Sequence, residues 1–196
     1  IVDRELDGVD ADLVRIDHEQ GAYLATRYLL DLGHVDIACI NGPADTSVAK
    51  MRLAGFLRAL AEAGVALRDG RVVGSDFTSP GGRCAAGQLL SGDRPTAIFA
   101  ANDMIGMGVL RAAAERGISV PGELSVIGFD DIQMCQYVYP ALTTVGQSIG
   151  ELGEMAAARL LQRIAGQALT ETGQHIVAPK IVLRESTGPA PLPGRG

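Results

Sequence analysis

The sequence predicts an α/β protein built on a doubly wound parallel sheet. Three observations carry this prediction. Short apolar runs of strand length alternate with longer segments of helical period. The alternation repeats roughly every 25 to 35 residues, the length of a strand–helix–strand step. Apolar runs also end in polar pairs: Thr96–Ala101 runs into Asn102 and Asp103, and Leu124–Phe129 runs into Asp130 and Asp131. Continuous apolar strands belong in sheets covered on both faces, and such sheets bind small ligands at their carboxyl ends.

Taken in order, Val14 to Asp17 reads as a strand entering a turn. Glu19 to Leu32 is a helix with Ala22, Ala25, Leu29 and Leu32 on one face, stopped by Gly33. Val35 to Ile40 is a strand, turned by Asn41, Gly42 and Pro43. Val48 to Ala63 is a helix, with Leu53, Phe56, Leu57 and Leu60 on one face and Gly64 after it. Val72 to Gly74 is a short strand, and Pro80 to Leu90 a helix with proline near its first position. Asn102 and Asp103 can cap the next helix, which Gly117 ends. After the Leu124–Phe129 strand, Ser148 to Glu151 has the form of a capping box. It precedes a helix with Leu152, Met155, Ala156, Leu160 and Ile164 along one stripe. His175–Ala178 and Lys180–Arg184 read as the final strands. Gly188–Gly196, rich in proline and glycine, reads as a flexible tail.

Composition excludes several functions. The hydrophobic content of 47% is spread over short runs, none of membrane-spanning length. A net charge of −6 without a Lys/Arg cluster opposes direct binding to a phosphate backbone. Cys39, Cys84 and Cys135 show no metal-ligand spacing and read as reduced thiols. His18, His34 and His175 are isolated in sequence and read as turn or surface histidines. No nucleophile elbow, zinc motif, thiol pair or phosphate loop occurs, so no catalytic residue, metal or cofactor is expected. The start, IVDRELDG, has neither methionine nor a leader pattern and reads as the interior of a longer protein.

Several segments resemble the effector-binding domain of LacI/GalR-type bacterial transcription regulators. They are RIDHEQGAYLATRYLLDLGHVDIACINGP (Arg15–Pro43), RLAGFLRALAEAG (Arg52–Gly64), SDFTSPGG (Ser75–Gly82), Pro95–Asp131, PALTTVGQSIGELGEMAAARLL (Pro140–Leu161) and IVLRESTGP (Ile181–Pro189). Each motif is weak alone, but their order is specific. The resemblance implies a periplasmic-binding-protein-like fold of type I, mainly its C-terminal lobe. Residues 1–17 would be a remnant of the first lobe with a crossover, and 18–145 the C-terminal lobe. Residues 146–178 would be a crossover with a helix and strand of the first lobe, 179–187 the last strand, and 188–196 the tail. Arg15, Ile16, Asp17 and Gly146 would be hinge residues.

The resemblance also implies a cytoplasmic, homodimeric, non-enzymatic regulator that binds a small sugar between two lobes. It would reach operator DNA only through an N-terminal helix-turn-helix outside this chain. The helices carrying Arg52–Phe56 and Met104–Glu115 would expose small and apolar residues to a second subunit. The alternative is a periplasmic sugar-binding protein of a transport system, which shares fold and pocket.

A sugar site needs fixed polar groups for hydroxyls and an aromatic face for the ring. Arg52, Phe77, Asn102 and Asp130 stand at strand carboxyl ends or on adjoining helix turns. Arg52 offers a rigid fork of donors, Asp130 accepts, and Asn102 does both. Gln147 matches an effector position of the family near the hinge. Purine-responsive members place Arg and Thr in the loop that here holds Thr46 and Val48. This favours a pentose or hexose, with ribose the first expectation.

Overall fold

The computed structural model describes residues 1–3, 11–147, 149–165 and 173–191. The chain forms two compact units. One comprises 1–17 and 147–179, the other 18–146 and 180–196.

The larger unit is a six-stranded sheet with helices on both faces. Its strands are β2 (Ile37–Asn41), β3 (Val72–Gly74), β4 (Ala97–Ala100), β5 (Ser125–Asp130), β6 (Thr143–Gly146) and β8 (Lys180–Val182). They lie in the order β3-β2-β4-β5-β6-β8. All pairings are parallel except β6 with β8, so the edge contributed by the last strand departs from an all-parallel sheet. The helices are α1 (His18–Asp31), α2 (Ser47–Glu62), α3 (Ser79–Leu89) and α4 (Asp103–Glu115).

Two apolar layers sandwich the sheet. One joins Ala22, Ala25 and Leu29 of α1 and Phe56 and Leu60 of α2 to Cys39, Phe99, Ile127 and Phe129. The other joins Ala85, Ala86 and Leu89 of α3 and Ile105, Val109 and Ala112 of α4 to Ala38, Ile40, Ile98 and Val126. Complete burial of a side chain such as Phe56 contributes roughly 1.5–3 kcal/mol. Helices α1 and α2 pack closely because Gly55 has no side chain; a Cβ there would lie 2.0 Å from the Glu19 carbonyl oxygen.

This arrangement sets where a ligand can bind. The loop leaving β2 leads to α2 on one face, and the loop leaving β4 leads to α4 on the other. The crevice outside the carboxyl ends of β2 and β4 is therefore a topological switch point.

The smaller unit pairs β1 (Leu13–Ile16) with β7 (Gln174–Val177) in parallel and packs α5 (Ile149–Ile164) against them. Val14, Leu152 and Val177 form its core, with Met155 and Ala156 packed beside them. The expected stripe of α5 is thus split: Leu160 and Ile164 are exposed. Ser148, the first residue of the expected capping box, lies outside the described residues.

Several expectations need correction. Val35 is exposed, and the second strand begins at Ile37. The tail does not begin free at Gly188. Its backbone N–H donates to Ser125 Oγ, its carbonyl accepts from His34, and the Ala190 N–H donates to the Leu32 carbonyl. Residues 192–196 lie outside the described residues. Arg52 and Phe56 are buried in the larger unit, and the exposed small and apolar residues of that helix are Ala54 and Leu57. The histidines are not isolated either. His34 is buried among Thr96, Ser125 and Gly188, and Arg159 donates to His175 Nε2 at 2.8 Å.

Candidate functional site

Arg52 lies one and a half turns into α2, which Thr46 caps by accepting from the Ala49 N–H at 3.3 Å. The Thr46 hydroxyl also donates to the Pro43 carbonyl at 2.9 Å, so it is committed to the local turn. From α2 the Arg52 side chain reaches the switch point while remaining only 3% exposed. Its Nη1 donates to the Ala101 carbonyl at the end of β4, and its Nη2 donates to Asp130 Oδ1 at 2.9 Å. The guanidinium carbon lies 3.7 Å from the centre of the Phe129 ring. A cation on an aromatic face gains further electrostatic stabilisation there.

Asp130 ends β5 with its side chain 26% exposed and its carboxylate held by Arg52. Its φ of 119° lies in a region that residues with a Cβ rarely adopt, and Asp131 follows at φ 58°. Such conformations persist only where surroundings enforce them, and they concentrate at ligand sites. Here Arg52 holds Asp130, and Arg184 holds Asp131 at 2.6 Å.

A second pair sits beside the first. Phe77, between β3 and α3, has φ 63°. The Asn102 Nδ2 donates to the Phe77 carbonyl at 3.1 Å, and its Oδ1 caps α4 by accepting from the Ile105 N–H at 2.8 Å. The Phe77 ring lies over Gly42, where a Cβ would stand 2.0 Å from the ring's Cζ. Ala101, bound by Arg52, directly precedes Asn102 and so joins the two pairs. Together they offer a carboxylate, a fixed guanidinium and an aromatic ring at one sheet edge. That is binding chemistry for a polyhydroxylated ring. Among the described residues no His/Cys/Asp/Glu cluster suits a metal ion.

A profile of the periplasmic binding protein-like domain matches residues 26–187. A LacI family transcriptional regulator from Enterococcus faecium, solved with bound ribose, superposes with a TM-score of 0.85 at 34% identity, covering 96% of this chain and 69% of that one. The chain belongs to the periplasmic binding protein-like family, in its LacI-type branch. The HTH-type transcriptional regulator DegA of Bacillus subtilis is 42% identical to it over 182 residues, which is 91% of this chain and 52% of that protein. The ribose operon repressor of Escherichia coli K12 is 42% identical over 163 residues, 83% of this chain and 49% of that protein. The chain spans about half the length of the curated relatives it matches.

In this LacI-type domain, Arg52 and Asp130 meet directly, and Phe77 and Asn102 meet directly. Gln147 falls in the smaller unit. So do Arg15, Ile16 and Asp17: Arg15 pairs with Ile176 and Ile16 with Val177 in the two-stranded sheet. Gly146 is the last residue of β6.

Sequence reasoning missed two groups of this LacI-type site. His18, the first residue of α1, is buried and lies 3.2 Å from Arg52 Nη2 through its Nδ1. No sequence periodicity marks that contact, because it is made across 34 residues. Asp103 is the other. It is fully buried behind β5, where Thr144 Oγ1 donates to its Oδ1 and the Ile132 N–H to its Oδ2 at 2.8 Å. Burial pushes its carboxyl up to about 6, against the hydrogen bonds that favour ionisation. The polar pair at the helix start was legible as a cap, but its division of labour was not: Asn102 caps and Asp103 turns inward.

Proposed function

We propose that this chain is the ligand-sensing part of a LacI-type transcription regulator whose effector is a small sugar, a ribose-like pentose or a hexose. The observation that carries the reading is the Arg52–Asp130 pair. It is fixed at the sheet's switch point, with the Asp130 side chain 26% exposed. Asp130 would accept from ring hydroxyls, Arg52 would hold it aligned, and Phe77 would cover a C–H face of the sugar. Asn102 retains a second amide proton for a hydroxyl, and Gln147 would add a contact from the family's pattern.

One further point supports a sugar over a nucleobase. Thr46 is engaged in its helix cap and Val48 is apolar, so neither is placed to read a base. The relatives do not separate the two, since they include a ribose operon repressor and a regulator solved with ribose as well as the HTH-type transcriptional repressor PurR of Erwinia tasmaniensis. The regulator relatives favour this reading over a transport protein.

In the whole protein the chain would act in the cytoplasm as a homodimer and reach operator DNA through a helix-turn-helix outside this chain. It performs no chemistry. Met104 and Arg111 stay exposed on α4 and suit a subunit contact. Arg15, Ile16, Asp17 and Gly146, where the chain passes between its two units, would act as hinges. Effector and operator then alter each other's affinity reciprocally, by a typical coupling of about 1–3 kcal/mol.

A thermal-shift screen of the full-length protein against pentoses, hexoses and purines tests the reading. A sugar at about 100 times its Kd stabilises by about 2.7 kcal/mol, a readily measured rise in Tm. A response confined to purines would refute the sugar assignment.

A further inference from the structure

We propose that His18 is a positioning residue of the effector site, holding the Arg52 guanidinium in line with Asp130 without touching the effector itself. The inference rests on the reading of Arg52 and Asp130 as the effector grip.

His18 is 2% exposed, an unusual burial for a polar residue opening a helix. Its Nδ1 lies 3.2 Å from Arg52 Nη2. A guanidinium has donors only, so Nδ1 must be the acceptor. That assigns the ring: the lone pair is on Nδ1 and the proton on Nε2. The same Nη2 donates to Asp130 Oδ1 at 2.9 Å. Its two protons therefore have two separate acceptors, and the direction of one bond fixes the direction of the other.

The remaining contacts give the arrangement its stiffness. The His18 ring stands 5.9 Å from the Phe129 ring, tilted by 37°. Phe129 in turn carries the Arg52 guanidinium on its face. The opposite nitrogen of the fork, Nη1, is tied to the Ala101 carbonyl. A single bond from Nη2, to the 26% exposed Asp130 side chain, would leave that nitrogen some freedom. A second acceptor on the same nitrogen removes that freedom before the effector arrives, and preorganisation of this kind raises affinity. His18 also follows Asp17, where the chain enters the larger unit, so this anchor sits at the chain's point of entry.

An acceptor at this position should be the essential property. Asparagine can place its Oδ1 where Nδ1 stands, whereas phenylalanine keeps the ring and loses the acceptor. Titration calorimetry of the full-length protein with D-ribose compares wild type, His18→Asn, His18→Phe and Asp130→Ala. We expect His18→Asn to stay within about twofold of wild type and His18→Phe to bind about tenfold more weakly, the loss of roughly one hydrogen bond to a charged group. Nitrogen-detected NMR of the His18 ring provides a readout that needs no effector. It should show the neutral tautomer with the proton on Nε2, and the same spectrum in Asp130→Ala.

A proton on Nδ1 would overturn the proposal. So would wild-type affinity in His18→Phe, or equal weakness in His18→Asn and His18→Phe. If Asp130→Ala also binds D-ribose like wild type, the effector-grip reading itself fails. If Asp130→Ala loses binding while His18→Phe keeps it, only the positioning role fails.

Discussion

Phe77 rests on the bare backbone of Gly42: a Cβ on that glycine would lie 2.0 Å from Cζ and 2.3 Å from Cε1 of the ring. The contact brings the end of β2 against the loop after β3. It explains why a phenylalanine is held at φ 63°, with Asn102 bound to its carbonyl. Gly42→Ala should push the ring off its seat and weaken effector binding about tenfold while the fold survives. The check is a double-mutant cycle with Phe77→Leu. The penalty of Gly42→Ala should shrink markedly once the large ring is gone. Full additivity would mean that the glycine acts on something other than Phe77.

Arg52→Lys should behave as a severe change. Lysine keeps the charge, but its single ammonium cannot bridge the Ala101 carbonyl, His18 and Asp130 from a planar fork. Effector affinity should fall by about tenfold or more. Folding should survive, because the stem can still lie on Phe129. Induction in a reporter strain, together with the Tm of the purified variant, checks both halves.

Asp103 should make the wild type less stable as pH rises. Its carboxyl is raised to about 6 from the ordinary 3.8, so between those values the folded state holds a proton that the unfolded state has released. Stability contributed by the protonated carboxyl is present near pH 4 and is lost as pH rises through about 6. This contribution is on the order of 2–3 kcal/mol. Asp103→Asn should remove this slope, and the wild-type-minus-variant difference in denaturation free energy across that range isolates it. An unchanged slope would place the titration elsewhere.

His34 should pin the segment after β8. Its ring meets Thr96 at 2.9 Å, Ser125 at 3.0 Å and the Gly188 carbonyl at 3.0 Å. Burial lowers its pKa, against the Gly188 carbonyl, which favours the charged ring. A depressed histidine contributes stability above its ordinary titration range, and that contribution is lost as pH falls through the folded value. The protection of the Gly188 and Ala190 amides, corrected for the intrinsic pH dependence of exchange, should therefore fall on acidification in the wild type. His34→Phe leaves buried partners unpaired and should destabilise by about 1–3 kcal/mol.

Much of the fold was readable because it depends on local pattern. The apolar runs of β4 and β5 are short-range signals and lie where their pattern points, whereas only Phe56 and Leu60 of the expected α2 stripe are buried and Leu57 is exposed. The antiparallel placement of β8 was not readable, since nothing within three residues records which neighbour a strand will meet. The docking of Gly188 was hidden for a related reason: a Pro/Gly-rich composition reads as loose, while the buried His34 that grips it is 154 residues away. Within the candidate site, Arg52 and Asp130 stand out by residue type at strand ends. The roles of His18 and Asp103 emerge only from packing, because an acceptor for a guanidinium and a buried carboxyl leave no trace in spacing.

The central claim is that the carboxylate of Asp130, aligned by Arg52, binds a sugar. The most direct measurement is titration calorimetry of D-ribose and a panel of pentoses and hexoses into full-length wild type and Asp130→Asn, which keeps the side chain's shape and removes its charge. Wild type should bind at least one sugar saturably, and Asp130→Asn should bind it about tenfold to a hundredfold more weakly. Equal affinity in the two proteins, or no sugar bound by wild type, would contradict it.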